Sequence, residues 1–414
     1  MNKCSCKDCN LEVFEDNDKC ILHCEKDDWY EEYESKKPKY FDNTCPKNNW
    51  NLSKEKINNF WKTFINSLKE NIEKNVLECT YTDMVFPALG NANYPKVRIT
   101  EMKFLSLKNC IFLDVIDLSF FLSAKNLEME YCIFNEDVKV KEVIHKEKFL
   151  FQNNLVLKNI TFDNIQFEGT SSFMESTFKN ELTFQNLRFD DLALFNNCQI
   201  ENLFFRNTFF RKESNFLDMT LLKVGSRETA RIIKDSFEKQ NNIIEANKFY
   251  ALEMKEREKE LEEDIREGKN FFEWLVFKIH GLSSNHSQDW LLALFWIISF
   301  TLLSVTIEKI FSSHIGLSDK CVVSFLIFSM IVISNIYLAN SKKVYYLIFI
   351  AIYFFIYLIF TEDFYLKCFS KTLNPFSLMQ ANDPINGIEL LYKIIIAYLI
   401  YQLIISIRQN TRRK

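Results

Sequence analysis

Six soft donors crowd the stretch MNKCSCKDCNLEVFEDNDKCILHCEK: Cys4, Cys6, Cys9, Cys20, His23 and Cys24 lie within twenty-one residues. Thiolate sulfur and imidazole nitrogen are the ligands a tetrahedral zinc ion takes, usually as two pairs with two to four residues inside each pair and a loop between them. Cys20-x2-His23 makes one pair. The other is Cys6-x2-Cys9 or Cys4-x4-Cys9, and spacing does not choose between them. In a chain read as cytosolic, clustered cysteines point to metal rather than to disulfides. The expected site is structural zinc, because four donors close the shell and no His-x-Glu pair adjoins it to work on a bound water. The other cysteines, at 45, 79, 110, 132, 198, 321 and 368, are scattered, and those in the middle of the chain read as core.

Outside that cluster the residues argue against an enzyme. The five histidines, at 23, 145, 280, 286 and 314, fall in no nucleophile or metal-hydrolase motif. With seven glycines in 414 residues there is no Gly-rich phosphate loop. His280 and His286 bracket GLSSN and are of the type that binds a metal or senses pH, though an interfacial loop is the plainer reading. A net charge of -4, with no basic stripe, gives no footing for nucleic acid.

The elements that would carry such a site are set by the 41 phenylalanines. In TFDNIQFEGTSSFMESTFKNELTFQNLRF they recur at alternating steps of five and six: Phe162, Phe167, Phe173, Phe178, Phe184 and Phe189, continued by Phe195, Ile200, Phe205 and Phe210. A flat strand needs even steps. A helix would turn successive members apart by roughly 140° for each five residues. What remains is a chain that turns a corner every five or six residues and points one bulky side chain inward from each side.

FDNIQFEGTSSFMESTFKNELTFQNLRF resembles the pentapeptide-repeat family, in its Phe-centred form. The resemblance covers about a quarter of the chain and implies a right-handed, four-sided β-helix. It makes Phe162, Phe167, Phe173, Phe178, Phe184, Phe189, Phe195, Phe205 and Phe210 the interior ladder. Upstream, Leu122, Leu127, Ile133 and Val138 keep a looser register, and VKVKEVIHKEKFLFQNN reads as a break, an irregular coil or protruding loop. CILHCEK also resembles the Cys-Ile-Phe-His element that often precedes such repeats. Solenoids need several coils and capped ends. Before the repeats, SKEKINNFWKTFINSLKENIEKN places Ile57, Phe60, Trp61, Phe64, Ile65 and Leu68 on one helical face. After them, apolar positions at 232, 233 and 237, then 244, 249, 252 and 261, suggest a helical hairpin over the other end, with Gly268 as C-cap. The charge run from Lys255 to Glu267 reads as a solvated helix face.

The C-terminal third reads as membrane. Segments 290–307, 321–339, 344–360 and 388–407 are each apolar and about long enough to cross a bilayer core. Lys342 and Lys343 between the second and third, and Arg408, Arg412, Arg413 and Lys414 after the fourth, place those loops and both termini in the cytoplasm. No signal peptide is expected. FFEWLVFKIHG (271–281) is too short to span; it would lie among headgroups or dock the cytosolic body. Asn335 and Gln402 are expected to face the bundle interior, where an amide finds partners that lipid denies it.

The expected fold class is thus a β solenoid, a right-handed quadrilateral β-helix, with flanking helices and an α-helical transmembrane bundle. The expected domains are a Cys/His knuckle (1–48), a helical cap and entry (49–100), the β-helix (101–218), a helical hairpin and interfacial helix (219–287) and four spans (288–414). The expected function is a binding or scaffolding module held at the inner or plasma membrane, with the bilayer and a protein on the β-helix as partners and a homo-oligomer allowed. The alternative is a channel or membrane-perturbing effector gated by the cytosolic body. No TVGYG filter accompanies that alternative.

Overall fold

A coil closed by four sides of alternating five and six residues returns upon itself every 22, so each residue should pair in parallel with the one 22 further on. The computed structural model describes residues 3–6, 9–26, 29, 53–87, 99–312, 316, 322–323, 325–326, 329–330, 334, 344–374 and 387–411. It divides into two compact units, Met1–Asn242 and Ile243–Lys414. The first is built on that 22-residue return: Val140 pairs with Phe162, Phe162 with Phe184, Leu127 with Phe149 and Ser171 with Ala193, all parallel.

About six turns form the β-solenoid. One sheet stacks β1 (Glu78–Thr82), β3 (Phe104–Lys108), β6 (Asn126–Glu130), β9 (Phe149–Gln152), β12 (Ser171–Ser172), β14 (Ala193–Leu194) and β16 (Ser214–Asn215). The second, ten-stranded sheet holds β2 (Val85–Phe86), β4 (Ile111–Phe112), β5 (Ile116–Asp117), β7 (Ile133–Phe134), β8 (Val138–His145), β10 (Leu155–Val156), β11 (Ile160–Phe167), β13 (Thr177–Phe189), β15 (Gln199–Phe210) and β17 (Thr220–Val224).

The interior is a set of aromatic columns. Phe162, Phe184 and Phe205 stack with centroids 5.2 and 5.3 Å apart, and Phe173, Phe195 and Phe216 at 5.0 Å each. Phe86, Phe112 and Phe134 stack at 4.5 Å. The strand spacing of a sheet, about 4.8 Å, coincides with a favourable offset-stacking distance, so one rise per coil serves both the backbone ladder and the rings. Phe167, Phe189 and Phe210 form a further column at 5.2 and 4.8 Å, and Phe178 stacks on Phe151 at 6.2 Å; of the nine ladder phenylalanines of the sequence eight are buried, and Phe210 at the end is half-buried.

The stretch expected to break the register does not. Stepping back from Phe162 by six and five gives Val156, Phe151, His145, Val140, Phe134 and Met129, every one buried. VKVKEVIH is strand β8, paired with both β5 and β11. Of the looser upstream register, Leu122, Leu127 and Val138 are buried, whereas Ile133 is half-exposed and Phe134 takes the interior place. His145 sits where the next coil has Phe167, with its two ring nitrogens 3.0 Å from the carbonyl oxygens of Leu122 and Lys148.

The corners explain how so few glycines suffice. Asn109, Tyr131, Asn153, Glu175, Asn197 and Asp218 form one row of left-handed residues, and Glu142, Asn164, Asn186 and Asn207 another. Asn and Asp tolerate that conformation better than most non-glycine residues. Next to the first row, the small interior side chains of Cys132, Asn154, Ser176 and Cys198 each donate to a carbonyl of the preceding coil, those of Leu107, Met129, Phe151 and Phe173. Among the described glycines, Gly169 alone has a backbone neighbour, the Glu147 carbonyl, so close that a Cβ would collide with it.

Helices cover both ends. α1 (Ser53–Glu73) buries Ile57, Phe60, Trp61, Phe64, Ile65 and Leu68, with Phe60 and Phe64 set edge-on against Phe86 of the first coil. α2 (Arg227–Lys239), N-capped by Ser226, accepts from the last coil's backbone: the N–H of Phe205 donates to Thr229 Oγ1 (2.8 Å) and that of Asn207 to Glu228 Oε1 (3.1 Å). Those sheet-edge donors would otherwise recruit another strand.

The expected hairpin is divided differently. α2 belongs to the first unit, whereas α3 (Ile243–Arg266) belongs to the second and pairs with α4 (Phe271–Ser284) through Arg257–Glu273, Lys278–Glu258 and Lys278–Glu262 contacts of 2.6 to 2.7 Å. Between them Gly268, at φ +77°, ends α3. α5 (Trp290–Ser312) packs against α6 (Val344–Thr361) through Phe295, Leu302, Tyr346 and Tyr353, and against α8 (Gly387–Thr411) through Ile297, Tyr392 and Ile396; the short α7 (Lys367–Leu373) lies between α6 and α8 in sequence. Trp290–Ser312 and Glu389–Gln409 are long and apolar enough to cross a membrane. α6, at 18 residues, extends about 27 Å, a little under a hydrocarbon core. Most of the second expected span, Lys342, Lys343 and residues 412–414 lie outside the described residues.

Truncating a stacked ring should leave a cavity between two others. Phe184→Ala is expected to cost about 3–5 kcal/mol, read from urea unfolding of the purified protein by circular dichroism. Phe209→Ala, at a 61% exposed position in the neighbouring strand register, should change stability by less than about 0.5 kcal/mol. Equal effects from the two would show that the columns do not carry the solenoid.

Candidate metal centre

The N-terminal segment folds into two turns that face each other. Lys3 and Glu12 form an antiparallel bridge, Cys4 N–H donates to Leu11 O (3.0 Å), and the turn at Cys20 is closed by His23 N–H to Cys20 O (3.0 Å). These turns bring together Cys4, Cys9, Cys20 and His23, whose ligand atoms all lie within 4.8 Å of one another. Of the two pairings open in the sequence, this is Cys4-x4-Cys9 joined to Cys20-x2-His23. Cys6 is half-buried and outside the group. Cys24 is buried, with its thiol toward Ile21 O and the Lys26 ammonium.

Within the group, Cys9 Sγ is 3.6 Å from Cys20 Sγ, Cys4 Sγ is 3.7 Å from His23 Nδ1, and Cys20 Sγ is 3.1 Å from the same nitrogen. His23 Nε2 lies 3.1 Å from the carbonyl oxygen of Thr82. A carbonyl accepts, so Nε2 carries the proton and the Nδ1 lone pair faces the three sulfurs. Metal-binding imidazoles are commonly oriented in this way by a partner on the far nitrogen. The backbone supports thiolates as well: Cys4, Cys9 and Cys20 each receive the N–H of the residue two positions on, Cys6, Leu11 and Leu22, and Cys4 also receives that of Cys20 at 3.2 Å.

Electrostatics shows why a cation suits the cluster. Burial pushes the Cys20 and Cys9 thiols up, and desolvation holds His23 below its ordinary value, so that it is neutral. Burial also opposes ionisation of Cys4, but the N–H groups of Cys20 and Cys6 outweigh it and bring that thiol down. Cys6 is raised to about 11 by burial and by Cys4 beside it. Three adjacent thiols, those of Cys4 and Cys20 buried and that of Cys9 half-buried, cannot all ionise against one another unaided; a dication offsets their charge and replaces their protons. The four donors therefore fit a soft or borderline divalent ion with no position left for substrate.

Sequence reasoning missed the outer support, namely the Thr82 carbonyl and the bond from Val85 N–H to Leu22 O (3.0 Å) that pins the second turn to the first coil. Backbone groups leave no mark in side-chain spacing. In the second unit Gln402 is buried and accepts from Ser284 Oγ at 3.1 Å; Asn335 lies outside the described residues. No protein-family model, curated protein or solved structure matches this chain.

Cys20→Ser should abolish stoichiometric metal binding, while Cys24→Ser and Cys6→Ser should retain it, measured by elemental analysis and chelator competition on the purified protein. Because protons compete for thiolate and imidazole alike, affinity should fall steadily as pH drops below neutral. Retention of metal by Cys20→Ser with loss by Cys6→Ser would overturn the assignment.

Proposed function

We propose that the protein is an integral membrane protein that holds a β-helix of pentapeptide-repeat type at the cytosolic face of an inner or plasma membrane, as a binding or scaffolding module without catalytic role. One observation carries this reading: the chain divides into a β-solenoid unit with its stacked rings inside and a helical unit that, around a packed core, leaves many large apolar side chains exposed. On α8, Leu391, Ile394, Tyr401 and Ile404 are 58 to 62% exposed. On α4, Phe272, Leu275, Val276, Ile279 and Leu282 are exposed as well, with Leu275 and Leu282 flanking Lys278. Apolar area of that extent is unfavourable in water and suits lipid, α8 as a span and α4 along the headgroup boundary.

The finer features follow from the same reading. Steps of five and six summing to a 22-residue coil support four sides, and the resemblance supplies the right hand. α6 and the segment 321–339 complete four spans, with the basic residues at 342, 343, 408 and 412–414 and both termini cytoplasmic. Zinc is the proposed ion: bonds of about 2.3 Å to sulfur and about 2.0 Å to nitrogen give ligand separations near 3.5–3.8 Å, beside the 3.6 and 3.7 Å separations of two of the ligand pairs. The flat strand faces of the solenoid are offered to a protein partner, which includes a second copy of the chain.

The test uses full-length protein in liposomes and planar bilayers. The protein should resist alkaline carbonate extraction, expose both termini on one side of sealed vesicles, and pass no current. Release by carbonate would remove the membrane reading. Reproducible single-channel current would replace the scaffold with the gated channel.

A further inference from the structure

At the turn between α4 and α5, three consecutive residues, Asn285, His286 and Ser287, hold left-handed conformations with φ of 49°, 54° and 64°. That turn folds His286 back over α4. Gly281 leaves room for it, since a Cβ there would meet His286 Nε2 at 3.2 Å. The result is a contact between the buried His286 imidazole and the half-buried His280, with His280 Nδ1 3.2 Å from His286 Nδ1.

The neighbours determine which nitrogen holds hydrogen. His280 Nε2 lies 3.3 Å from Ser287 Oγ. His286 Nε2 is buried without a hydrogen-bond partner, and Glu258 Oε2 of α3 is 3.7 Å away. A carboxylate there favours N–H over a lone pair on Nε2. In the neutral pair His280 therefore donates through Nδ1 to His286 Nδ1, and its Nε2 accepts the Ser287 hydroxyl. One added proton fits: with His286 protonated at both nitrogens beside Glu258, the inter-ring bond reverses and His280 Nε2–H donates to Ser287 Oγ. The hydroxyl must then donate elsewhere, and Gln402 Oε1 of α8 is 3.4 Å away. A second proton would set N–H against N–H.

We propose that His280, His286 and Glu258 form a one-proton binding site, and that its occupation turns the Ser287 hydroxyl to Gln402 and so couples pH to the contact between the α4–α5 turn and α8. The other charged groups around the pair are accounted for. α3 offers Lys255 besides Glu258; α4 offers Lys278, which is tied to Glu258 and Glu262. Asp289, at the start of α5, accepts from Leu291 N–H and Tyr346 Oη. α8 contributes the neutral Gln402 and the Tyr398 hydroxyl, the latter 3.4 Å from Ser283 Oγ. Burial holds both imidazoles below the ordinary histidine value, and each ring's charge would oppose the other's, while Glu258 works in the opposite sense on His286. Well above about pH 6.5 both folded and unfolded rings are neutral. Below it the unfolded chain takes up protons sooner, so this site's contribution to stability declines as pH falls.

The experiment is a pH titration of full-length, [15N]His-labelled protein in lipid nanodiscs by NMR; five histidines keep the spectrum assignable. Two coupled rings should titrate in two steps more than about one pH unit apart, the first below about 6.5. Glu258→Gln should weaken the first proton about tenfold, one further pH unit down. Gln402→Leu, which leaves both rings and the carboxylate in place, should also lower the first step. Rings that titrate together near 6.5, or a first step unmoved by Glu258→Gln, would overturn the site; a first step unmoved by Gln402→Leu would overturn the coupling to α8.

Discussion

The stacking of one aromatic ring on another at the rise of a single coil is the interaction on which the rest of the solenoid depends. Parallel strands fix the rise, and rings separated by 4.5 to 5.3 Å fill it. Because both spacings coincide, backbone hydrogen bonding and core packing reinforce each other, and the stack survives departures from 22 residues, 26 between Phe86 and Phe112 and 21 between Phe184 and Phe205. α1 and α2 then have one task each, to end the columns and the ladder without leaving a ring or an N–H exposed.

How far the sequence discloses this varies along the chain. From Phe162 onward the steps of five and six read directly, because one residue type fills nearly every interior position. Upstream the same backbone is populated by Val140, His145, Val156 and Met129, and the signal is lost although the coil continues. A side of the coil turns two residues inward, as Val138 and Val140 are both buried, so apolar character alone does not say which of the two heads the column. His145 is opaque for a further reason. Its place in the core depends on the carbonyls of Leu122 and Lys148, which no spacing announces.

The candidate metal centre is legible in donor type but not in which four of the six donors come together. Cys6-x2-Cys9 is the tighter spacing, yet Cys6 contributes its backbone N–H to Cys4 while its own thiol stays outside. The choice is made by peptide groups directed at sulfur, and these depend on how the turn at Cys4 meets the turn at Cys20. In the helical unit, long apolar runs identify α5 and α8, whereas the six-residue separation of His280 and His286 gives no hint that three left-handed residues fold one ring onto the other.

The asparagine corners have a consequence for the chain before it folds. Glycine would take the left-handed corner without strain, but it also gives an unfolded chain the greatest freedom to lose. Asparagine narrows that freedom, and in the native coil it adds bonds of its own: Asn207 Nδ2 donates to Asn186 Oδ1 at 2.9 Å, and Asn186 reaches Asp163. Part of the solenoid's stability therefore resides in the denatured ensemble, which a chain with seven glycines enters with less conformational entropy than a glycine-cornered one of the same length.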